Sequence, residues 1–359
     1  MLKGMGKTYL IFSPRYLDHN TGFSHPESSR RLKAIMEELE KTSILKEESC
    51  SIIEPEPASI NDLELVHKPD YIQLVKQVCE SGGGTLDLGD TIVSSESFDV
   101  ARLAVGGALK AVDKVMKEES KNAFAFVRPP GHHAGPYYAM GFCIFNNVAL
   151  AAAHLLRDFG LKRILILDID AHHGNGTQET FYETSEVLYI SLHQDPRGFP
   201  GTGFTDETGK DEGLGYTVNI PFSFQTSDSV YWRAIKEVVI PIVYQYKPQF
   251  ILVSAGFDGY YRDTVAGLSL SAFIYPRVFR AVLDLAHQLC HDRVVAVLEG
   301  GYRISFLRKV AVSTVAQMAG LTYKISDKRP SLDLVTQRMA EKIIEDVKRV
   351  QSSFWSLQG

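Results

Sequence analysis

Six short, almost wholly apolar runs, each ended by turn residues, constrain the fold of this chain more than any other feature. Longer amphipathic stretches with helical spacing separate these runs. Continuous apolar strands that alternate with such helices are typical of a parallel sheet covered on both faces. The sequence therefore predicts a three-layer α/β fold. The predicted strands are residues 9–12, 123–127, 163–169, 187–192, 250–254 and 294–298, and the predicted helices include 29–39, 98–116, 148–159, 230–244, 272–289 and 307–318.

The length of 359 residues would allow two domains. However, the chain contains no linker rich in Pro, Gly and Ser that would separate two bodies. The nearest candidate is the glycine run 82–84, which we interpret as a surface loop rather than a hinge. The charged, helix-prone stretch 331–358 is expected to pack on the outside of the same body. We therefore expect a single domain over residues 1–359.

Composition and charge exclude several classes of protein. Lysine and arginine number 38 against 43 aspartates and glutamates, a formal net charge of −5, which argues against a chain-wide basic face for nucleic acid. The four cysteines are scattered and form no CxxC pair, as expected in a reducing compartment. The N-terminal segment lacks the apolar length of a signal peptide, and no stretch is long enough to span a bilayer. These features predict a soluble, cytoplasmic protein with no membrane partner.

Unusual polar residues follow several of the predicted strands. Ligands bind beyond the carboxyl ends of the strands in open parallel sheets, so these positions are the ones to inspect. Asp170 and His172 are two residues apart and would project to the same side of an extended strand end. Asp258 follows another strand and could supply a third ligand to one divalent ion with an open position. A lone strand-end aspartate is usually a cap or turn residue, so it is the grouping that favours a metal site.

Two further strand ends carry residues suited to proton transfer and to stabilising an oxyanion. Adjacent histidines such as His132 and His133 point in different directions and suit proton transfer better than joint binding of one metal. Taken in isolation, a satisfied histidine pair in a polar loop would explain them equally well. Tyr302 follows two glycines and could donate a hydrogen bond to a developing oxyanion, although on its own it would be interpreted as a packing residue.

Taken in order, these motifs closely resemble the histone deacetylase superfamily, the zinc-dependent deacetylases of the arginase-deacetylase fold. Asn175 and the sequence of residues 144–147 (IFNN) resemble the class II and prokaryotic branch. The resemblance extends from about His25 to Leu307 and implies a mostly parallel sheet of about eight strands. It also implies a zinc-dependent amidohydrolase that removes acetyl or other acyl groups from lysine side chains or similar amines. The matching stretches are 128–147 (RPPGHHAGPYYAMGFCIFNN), 166–178 (ILDIDAHHGNGTQ), 189–203, 254–258 (SAGFD) and 298–302 (LEGGY).

The resemblance also implies roles for individual residues. Asp170, His172 and Asp258 correspond to the zinc ligands, and Tyr302 to the transition-state tyrosine. The tandem catalytic histidines are His132, which Asp168 would orient, and His133, which would act as general base and acid. Asn175 stands where other members have an aspartate behind the second histidine, which predicts a lower pKa for His133. The implied structural potassium ion would use Asp168, Asp170, His172, Ser191 and Leu192.

Substrate binding is implied at six further positions. The two aromatics that line the acyl-lysine tunnel would be Phe142 and Phe199, with Gly141 in its wall. Asp90 resembles the rim carboxylate that grips the substrate backbone, and Arg31 resembles the arginine of an internal acetate channel. The sixth position, Val265, corresponds to a gatekeeper whose acidic form is associated with acetylpolyamine substrates. Its apolar side chain favours an acylated lysine peptide or another small acylated amine, although Asp263 nearby keeps the polyamine hypothesis open.

Two more hypotheses differ from a deacetylase in their chemistry. A binuclear manganese ureohydrolase would need an additional carboxylate near Asp170, but Gly174 offers no side chain there, so one metal ion is favoured. The second is a non-catalytic protein that binds acyl-lysine or a small ligand, although every catalytic position holds a competent residue. The ligand set does not distinguish zinc from iron(II) or cobalt. The natural substrate and the oligomeric state are not predicted.

Overall fold

The computed structural model describes residues 7–331 and 334–357. Positions 1–6 of the N-terminal segment, and 332, 333 and 358 of the predicted C-terminal stretch, lie outside the described residues. Within the described ranges, no helix is both long and apolar enough to cross a membrane.

An eight-stranded sheet in the order β2-β1-β5-β10-β9-β6-β7-β8 forms the centre of the molecule. Every neighbouring pair in it is parallel, which confirms the predicted α/β fold. The six predicted strands are present and form the interior of the sheet, where side chains are buried on both faces. The two strands that were not predicted, β2 and β8, are its edges. The sheet consists of β1 (Thr8–Ile11), β2 (Cys50–Ile53), β5 (Asn122–Ala125), β6 (Ile164–Asp168), β7 (Val187–Gln194), β8 (Thr217–Phe222), β9 (Phe250–Ala255) and β10 (Val294–Leu298).

Helices flank this sheet in two groups. In one, α4 and α5 pack on each other and contact interior strands; in the other, α10 packs against both α1 and α9. The predicted helix over 230–244 is interrupted by a π-helical turn at Ile235–Val239, next to Pro241, which has no N–H to donate to the preceding turn. The helices are α1 (Arg30–Lys41), α2 (Ile60–Leu63), α3 (Pro69–Glu80), α4 (Ser97–Met116), α5 (Asn147–Phe159), α6 (Asn175–Phe181), α7 (Asp228–Ala234), α8 (Ile240–Tyr246), α9 (Ile274–Leu289), α10 (Ile304–Met318) and α11 (Leu334–Gln351).

The glycine run 82–84 is not simply a surface loop. Gly83–Thr85 forms strand β3, which pairs antiparallel with strand β4 (Ile92–Ser94). Gly83 has a φ of +103°, and a Cβ at this position would lie 2.4 Å from the Val93 carbonyl oxygen. The pairing therefore depends on a residue without a side chain, and the apolar periodicity used for prediction gives no sign of it.

Helix α11 lies against the edge of the sheet. Its buried side chains include Ala340, Ile344 and Val347, and it contacts β8 and α7. The Gln351 amide donates a hydrogen bond of 3.2 Å to the Thr217 carbonyl of β8. Beyond the helix, the Trp355 indole N–H donates to the Gly215 carbonyl over 2.9 Å. The C-terminal helix thus covers the exposed side of an edge strand.

A buried ion cluster, formed by His19, Glu27, Arg31 and Arg128, joins the N-terminal segment to the end of β5. We refer to it as the Glu27 cluster. Arg128 binds both oxygens of Glu27, at 2.6 and 2.7 Å, and Arg31 Nη1 lies 3.1 Å from Oε1. Burial alone would raise the pKa of Glu27, but the two guanidinium groups outweigh it and hold this pKa well below its usual range.

Candidate active site

The ends of β6 and β9, which are neighbours in the sheet, bring the three predicted metal ligands together. Asp170 and His172 follow β6, and Asp258 follows β9. One potential ligand atom from each lies within 4.8 Å of the others, and all three residues are buried. The Nδ1 atom of His172 lies 3.3 Å from Asp170 Oδ1 and 2.9 Å from Asp258 Oδ2. We call these three residues the metal-ligand cluster.

Backbone amides hold the two carboxylates of this cluster in place. The Gly300 N–H, beyond β10, donates to Asp170 Oδ2 over 2.8 Å, and the Ala171 N–H donates to Asp258 Oδ1 over 2.9 Å. A Cβ at Gly256 would lie 2.1 Å from Asp170 Oδ2, and one at Gly300 would lie 2.5 Å from the same atom. These glycines therefore allow neighbouring strand ends to approach the carboxylates closely.

The cluster fits a divalent cation. Asp258 Oδ2 is buried and accepts no hydrogen bond of good geometry from the described residues, although His172 Nδ1 lies 2.9 Å away. Burial alone would lower the pKa of His172, but Asp170 and Asp258 outweigh it and raise this pKa to about 10. Two carboxylates and one imidazole form a donor set that zinc and similar ions prefer, and the poorly satisfied Asp258 oxygen fits such an ion.

The first of the tandem histidines belongs to a charged network. His132 Nδ1 lies 3.1 Å from Asp168 Oδ2, which also accepts a hydrogen bond of 3.0 Å from the Tyr189 hydroxyl. Burial would lower the pKa of His132, but Asp168 and Asp170 outweigh it and raise this pKa to about 10. His132 is therefore positioned to carry a positive charge.

His133 has a neutral partner. Its Nδ1 lies 2.7 Å from Asn175 Oδ1, at the start of α6. Burial, together with the positive charges of His132 and His172, holds the pKa of His133 well below its usual range. The predicted effect of an asparagine in place of an aspartate stays a prediction. The hydrogen bond to Asn175 raises the pKa, and burial is what lowers it.

Four of the predicted tunnel and oxyanion residues lie around this histidine. The ring of Phe199 is 5.0 Å from that of His133 between centroids, and Phe142 is 5.7 Å from Tyr302, both in edge-to-face arrangements. A Cβ at Gly141 would lie 2.5 Å from the His133 ring and 3.0 Å from that of Phe199. Gly141 therefore forms a wall that a larger residue would obstruct.

Asp263, the acid that kept the polyamine hypothesis open, anchors the Tyr302 loop. Its Oδ2 accepts hydrogen bonds from the backbone N–H groups of Tyr302 and Arg303, at 2.8 and 2.9 Å. Its Oδ1 accepts from the N–H of Val265 over 3.1 Å. Since the carboxylate is occupied by three backbone donors, it is an anchor for the loop rather than a free charge for a ligand.

Glu299 is a second residue that sequence reasoning missed. It is fully buried at the end of β10, and its Oε2 accepts from the backbone N–H groups of Gly131 and His132, at 2.7 and 3.2 Å. The carboxylate therefore fixes the loop that carries both histidines. The only signal in the sequence is its position in the LEGGY motif.

The remaining predicted residues lie around this centre. Arg31 is fully buried and donates to the carbonyls of Glu299 and Gly301, the latter over 2.8 Å, and its guanidinium lies 5.0 Å from the Tyr302 ring.

The other predicted positions lie farther out or in the sheet. Asp90 is exposed, and the neighbouring Thr91 hydroxyl accepts from the Phe142 N–H over 3.1 Å. Val265 is half-buried on the loop that Asp263 anchors. Ser191 and Leu192 are fully buried in β7, where Ser191 is paired with Asp168.

The surroundings of Gly174 leave no space for a side chain at this position. A Cβ there would lie 2.3 Å from Asp168 Oδ2, 2.6 Å from the Tyr189 hydroxyl and 3.0 Å from His132 Nδ1. The fold therefore has no room for the additional carboxylate that a two-metal centre would need.

A cavity of about 1160 Å³ opens beside these residues. Asn175 and Phe199 line it and connect it to the His133 side of the site. Its charged lining is acidic, formed by Asp87, Asp90, Glu179, Glu183 and Glu207. Glu183 is paired with Lys210, at 2.6 Å, so the other four carboxylates dominate the field in the cavity.

Comparison with known proteins gives a consistent result. A probable deacetylase from Archaeoglobus fulgidus is 41% identical over 357 residues, covering 97% of this chain and 98% of the relative. A histone deacetylase-like amidohydrolase from Pseudomonas aeruginosa is 34% identical over 324 residues, covering 90% of this chain and 83% of the relative.

The fold comparison supports the same relationship. The crystal structure of the HDA15 HD domain superposes with a TM-score of 0.88 at 34% identity, covering 98% of this chain and 96% of that one. The histone deacetylase domain, as a sequence family, matches residues 25–318. The chain therefore belongs to the histone deacetylase family.

Proposed function

We propose that this chain is a zinc-dependent hydrolase that removes an acetyl or other acyl group from the side-chain amine of lysine. The observation that carries the proposal is the metal-ligand cluster, in which two carboxylates share one imidazole, next to the tandem histidines His132 and His133. The names of the relatives support a hydrolytic deacetylase. The metal, the substrate and the role of each residue are our proposal.

Asp170, His172 and Asp258 would hold the metal ion. When bound, such an ion supplies a Lewis acid that polarises an amide carbonyl and favours attack by water. Two carboxylates and one imidazole occupy three positions of a tetrahedral site, which leaves one side open as catalytic zinc sites require.

His133 would act as the general base. With its Nδ1 proton directed to Asn175 Oδ1, its Nε2 is free to accept a proton from the attacking water. The lowered pKa of His133 keeps the ring neutral before the reaction. The same nitrogen would then deliver the proton to the departing amine, so that no proton is gained or lost over the cycle.

His132 and Tyr302 would stabilise charge. His132, held by Asp168, keeps a positive charge beside the reacting centre. The Tyr302 hydroxyl would donate a hydrogen bond to the carbonyl oxygen as it becomes negative. Loss of one such donor usually costs about 2.7–4 kcal/mol of barrier. Asp263 fixes the loop on which this tyrosine lies.

The aromatic residues favour a substrate with an aliphatic stem. Phe142 and Phe199 would enclose the methylene groups of an acylated lysine, each worth about 0.8 kcal/mol when buried. The acidic cavity beside Phe199 favours neighbouring positive charges on the substrate. Asp90 at the rim would accept hydrogen bonds from the substrate backbone.

The same geometry disfavours an acetylpolyamine. Val265 offers no charge to an internal ammonium group, and the carboxylate of Asp263 already binds three backbone N–H groups. The potassium ion that the resemblance implies stays a prediction, at a place where β6 and β7 pair. It would bind mostly to backbone oxygens of Asp168, Asp170, His172, Ser191 and Leu192.

The proposal is tested by metal analysis together with a substrate panel. We expect one zinc ion per chain and hydrolysis of acyl-lysine peptides that a chelator abolishes and added zinc restores. The panel compares acetyl-lysine peptides, longer acyl chains and acetylated polyamines. Two manganese ions per chain, or no chelator-sensitive hydrolysis of any acyl amine, would overturn the proposal.

A single variant then tests the oxyanion role. Tyr302→Phe should lower kcat by about 100- to 1000-fold with normal zinc content, since it loses the donor without touching a metal ligand. Tyr244→Phe is the matched control, because that hydroxyl lies on the exposed side of α8 and donates to Gln288 of α9. Wild-type turnover in Tyr302→Phe would remove this tyrosine from the mechanism.

A further inference from the structure

Asn175, the neutral partner of His133, can face the histidine in two orientations, whereas a carboxylate would present an oxygen in either. An aspartate presents only acceptors, whereas the amide of Asn175 presents an acceptor on one side and a donor on the other. If the amide were flipped, its NH₂ group would face Nδ1 of His133, and the ring proton would move to Nε2. A ring protonated there cannot accept a proton from water, so the orientation of Asn175 decides whether His133 is a base.

The structure contains a chain of hydrogen bonds that fixes this orientation. His133 Nδ1 donates to Asn175 Oδ1 over 2.7 Å, and Asn175 Nδ2 donates to the Tyr138 hydroxyl over 3.1 Å. The Tyr138 hydroxyl in turn donates to Glu179 Oε2 over 2.7 Å. Asn175 Nδ2 also lies 3.3 Å from the His133 carbonyl oxygen, a second acceptor on the same side.

The direction of this chain is set by the His133 carbonyl, which can only accept from Asn175, and by Glu179 at the outer end. A tyrosine hydroxyl can either donate to or accept from an amide, so Tyr138 alone would tolerate both orientations of Asn175. Glu179 is exposed on α6, and as an ionised carboxylate it can only accept. Once the Tyr138 proton is committed to Glu179, the hydroxyl oxygen can only accept from Asn175. Every bond then points from the histidine towards the carboxylate.

The ring of Tyr138 is held in place independently of its hydroxyl. It packs on Gly135, where a Cβ would lie 2.4 Å from the ring and 2.8 Å from the hydroxyl oxygen. The Gly135 N–H donates to the Tyr138 carbonyl over 3.0 Å. Removal of the hydroxyl should therefore leave the ring where it is, so its loss can be tested without a large rearrangement.

We propose that Tyr138 and Glu179 are positioning residues that hold the Asn175 amide in the one orientation that keeps the proton on Nδ1 of His133. This proposal rests on the proposed function, because it assigns the two residues to the general base of that reaction. They line the acidic cavity and are assigned no contact with the reacting amide. They act through Asn175, and Glu179 supplies the charge that Asn175 itself lacks.

The kinetic test uses zinc-loaded protein and an acyl-lysine peptide. Tyr138→Phe should lower kcat about tenfold, the lower end of what loss of an outer hydrogen-bonding partner usually costs at a metal site, with KM and zinc content unchanged. Glu179→Gln should lower kcat less, because its amide can still accept but no longer dictates the direction. Glu179→Asp, which keeps an acceptor-only group, should recover part of the loss. Tyr137→Phe is the control, since it removes a hydroxyl from the neighbouring, exposed ring.

A spectroscopic test separates this proposal from the proposed function. In long-range ¹H–¹⁵N spectra of histidine-labelled protein, His133 is assigned by the signal missing in His133→Gln. We expect the Nδ1–H tautomer in the wild type and a mixture of tautomers in Tyr138→Phe. An unchanged tautomer together with kcat within twofold of the wild type would overturn the proposal. A wild type that hydrolyses no acyl amine would instead overturn the proposed function. The tautomer would still test the chain of hydrogen bonds from His133 to Glu179.

Discussion

The Glu27 cluster and the metal-ligand cluster are both buried groups of charged side chains, but their charges are balanced differently. In the Glu27 cluster, two guanidinium groups surround one carboxylate, and both of its oxygens are bound by Arg128. In the metal-ligand cluster, two carboxylates share one imidazole, and Asp258 Oδ2 has only that shared imidazole within ion-pair distance. The carboxylate of the first cluster is fully paired within the chain. The second cluster carries excess negative charge, which the proposed metal ion would balance.

The variant expected to have the largest effect is Asp258→Asn, which tests whether the metal-ligand cluster needs the Asp258 charge. The variant keeps the shape of the side chain but loses the charge that would bind the metal. We expect kcat/KM to fall by about a thousandfold or more, since several kcal/mol of transition-state stabilisation are lost. Metal content and hydrolysis of an acetyl-lysine peptide are the measurements, with Asp284→Asn on the exposed face of α9 as the control.

The same variant should affect stability in the opposite sense. In metal-free protein, Asp258→Asn should unfold at the same or a higher urea concentration than the wild type, because it removes the excess negative charge of a buried cluster in which two carboxylates share one imidazole. A loss of more than about 2 kcal/mol in the metal-free form would mean that the cluster is balanced without a metal.

The second prediction concerns the complete cluster. Arg128→Met should lower the free energy of unfolding by about 3–5 kcal/mol, because it leaves Glu27 buried with fewer partners. Arg197→Met is the matched control. It breaks an ion pair with Asp195 in which the arginine is 78% exposed, and it should leave the unfolding curve close to that of the wild type. Urea denaturation of both variants measures the difference, and equal losses would contradict the distinction between them.

The third and smallest effect is on acid stability. The depressed pKa of Glu27 contributes stability that is fully present above its ordinary value of about 4.5 and is lost as the pH falls through the folded value. His19 acts in the same direction, since burial lowers its pKa from 6.5 to about 3 and the unfolded chain takes up the proton first. Unfolding free energies measured from pH 7 down to about 2 should therefore fall less steeply in Glu27→Gln than in the wild type below pH 4.5. Parallel curves would show that Glu27 does not titrate differently on folding.

The interior of the sheet could be predicted from sequence because its strands are buried on both faces and read as uninterrupted apolar runs. The edge strands could not. The edge strand β8 contains Asn219 and Pro221, and β2 exposes Ile52, so neither has the apolar signature of an interior strand. Pro221 is tolerated there because an edge strand can do without one backbone donor.

The residues of the candidate site likewise fall into those that could be predicted from sequence and those that could not. Asp170, His172 and Asp258 were predictable because metal ligands are side chains of a few types at strand ends. Asp263 and Glu299 were not, because they act on backbone N–H groups, which are the same at every position in a sequence. The chain from His133 to Glu179 was also not predictable, since it depends on a loop and a helix meeting in space.

The absence of a side chain at position 174 also limits how this protein could change during evolution. A second metal ion would need a new carboxylate there, but any such residue would collide with the Asp168, Tyr189 and His132 side chains, which form the network around the proposed catalytic histidines. The first mutational step towards a two-metal enzyme would therefore disable the existing catalyst before the new ion could bind. Divergence from this sequence is consequently expected at the walls of the tunnel and cavity, where residues can be exchanged one at a time.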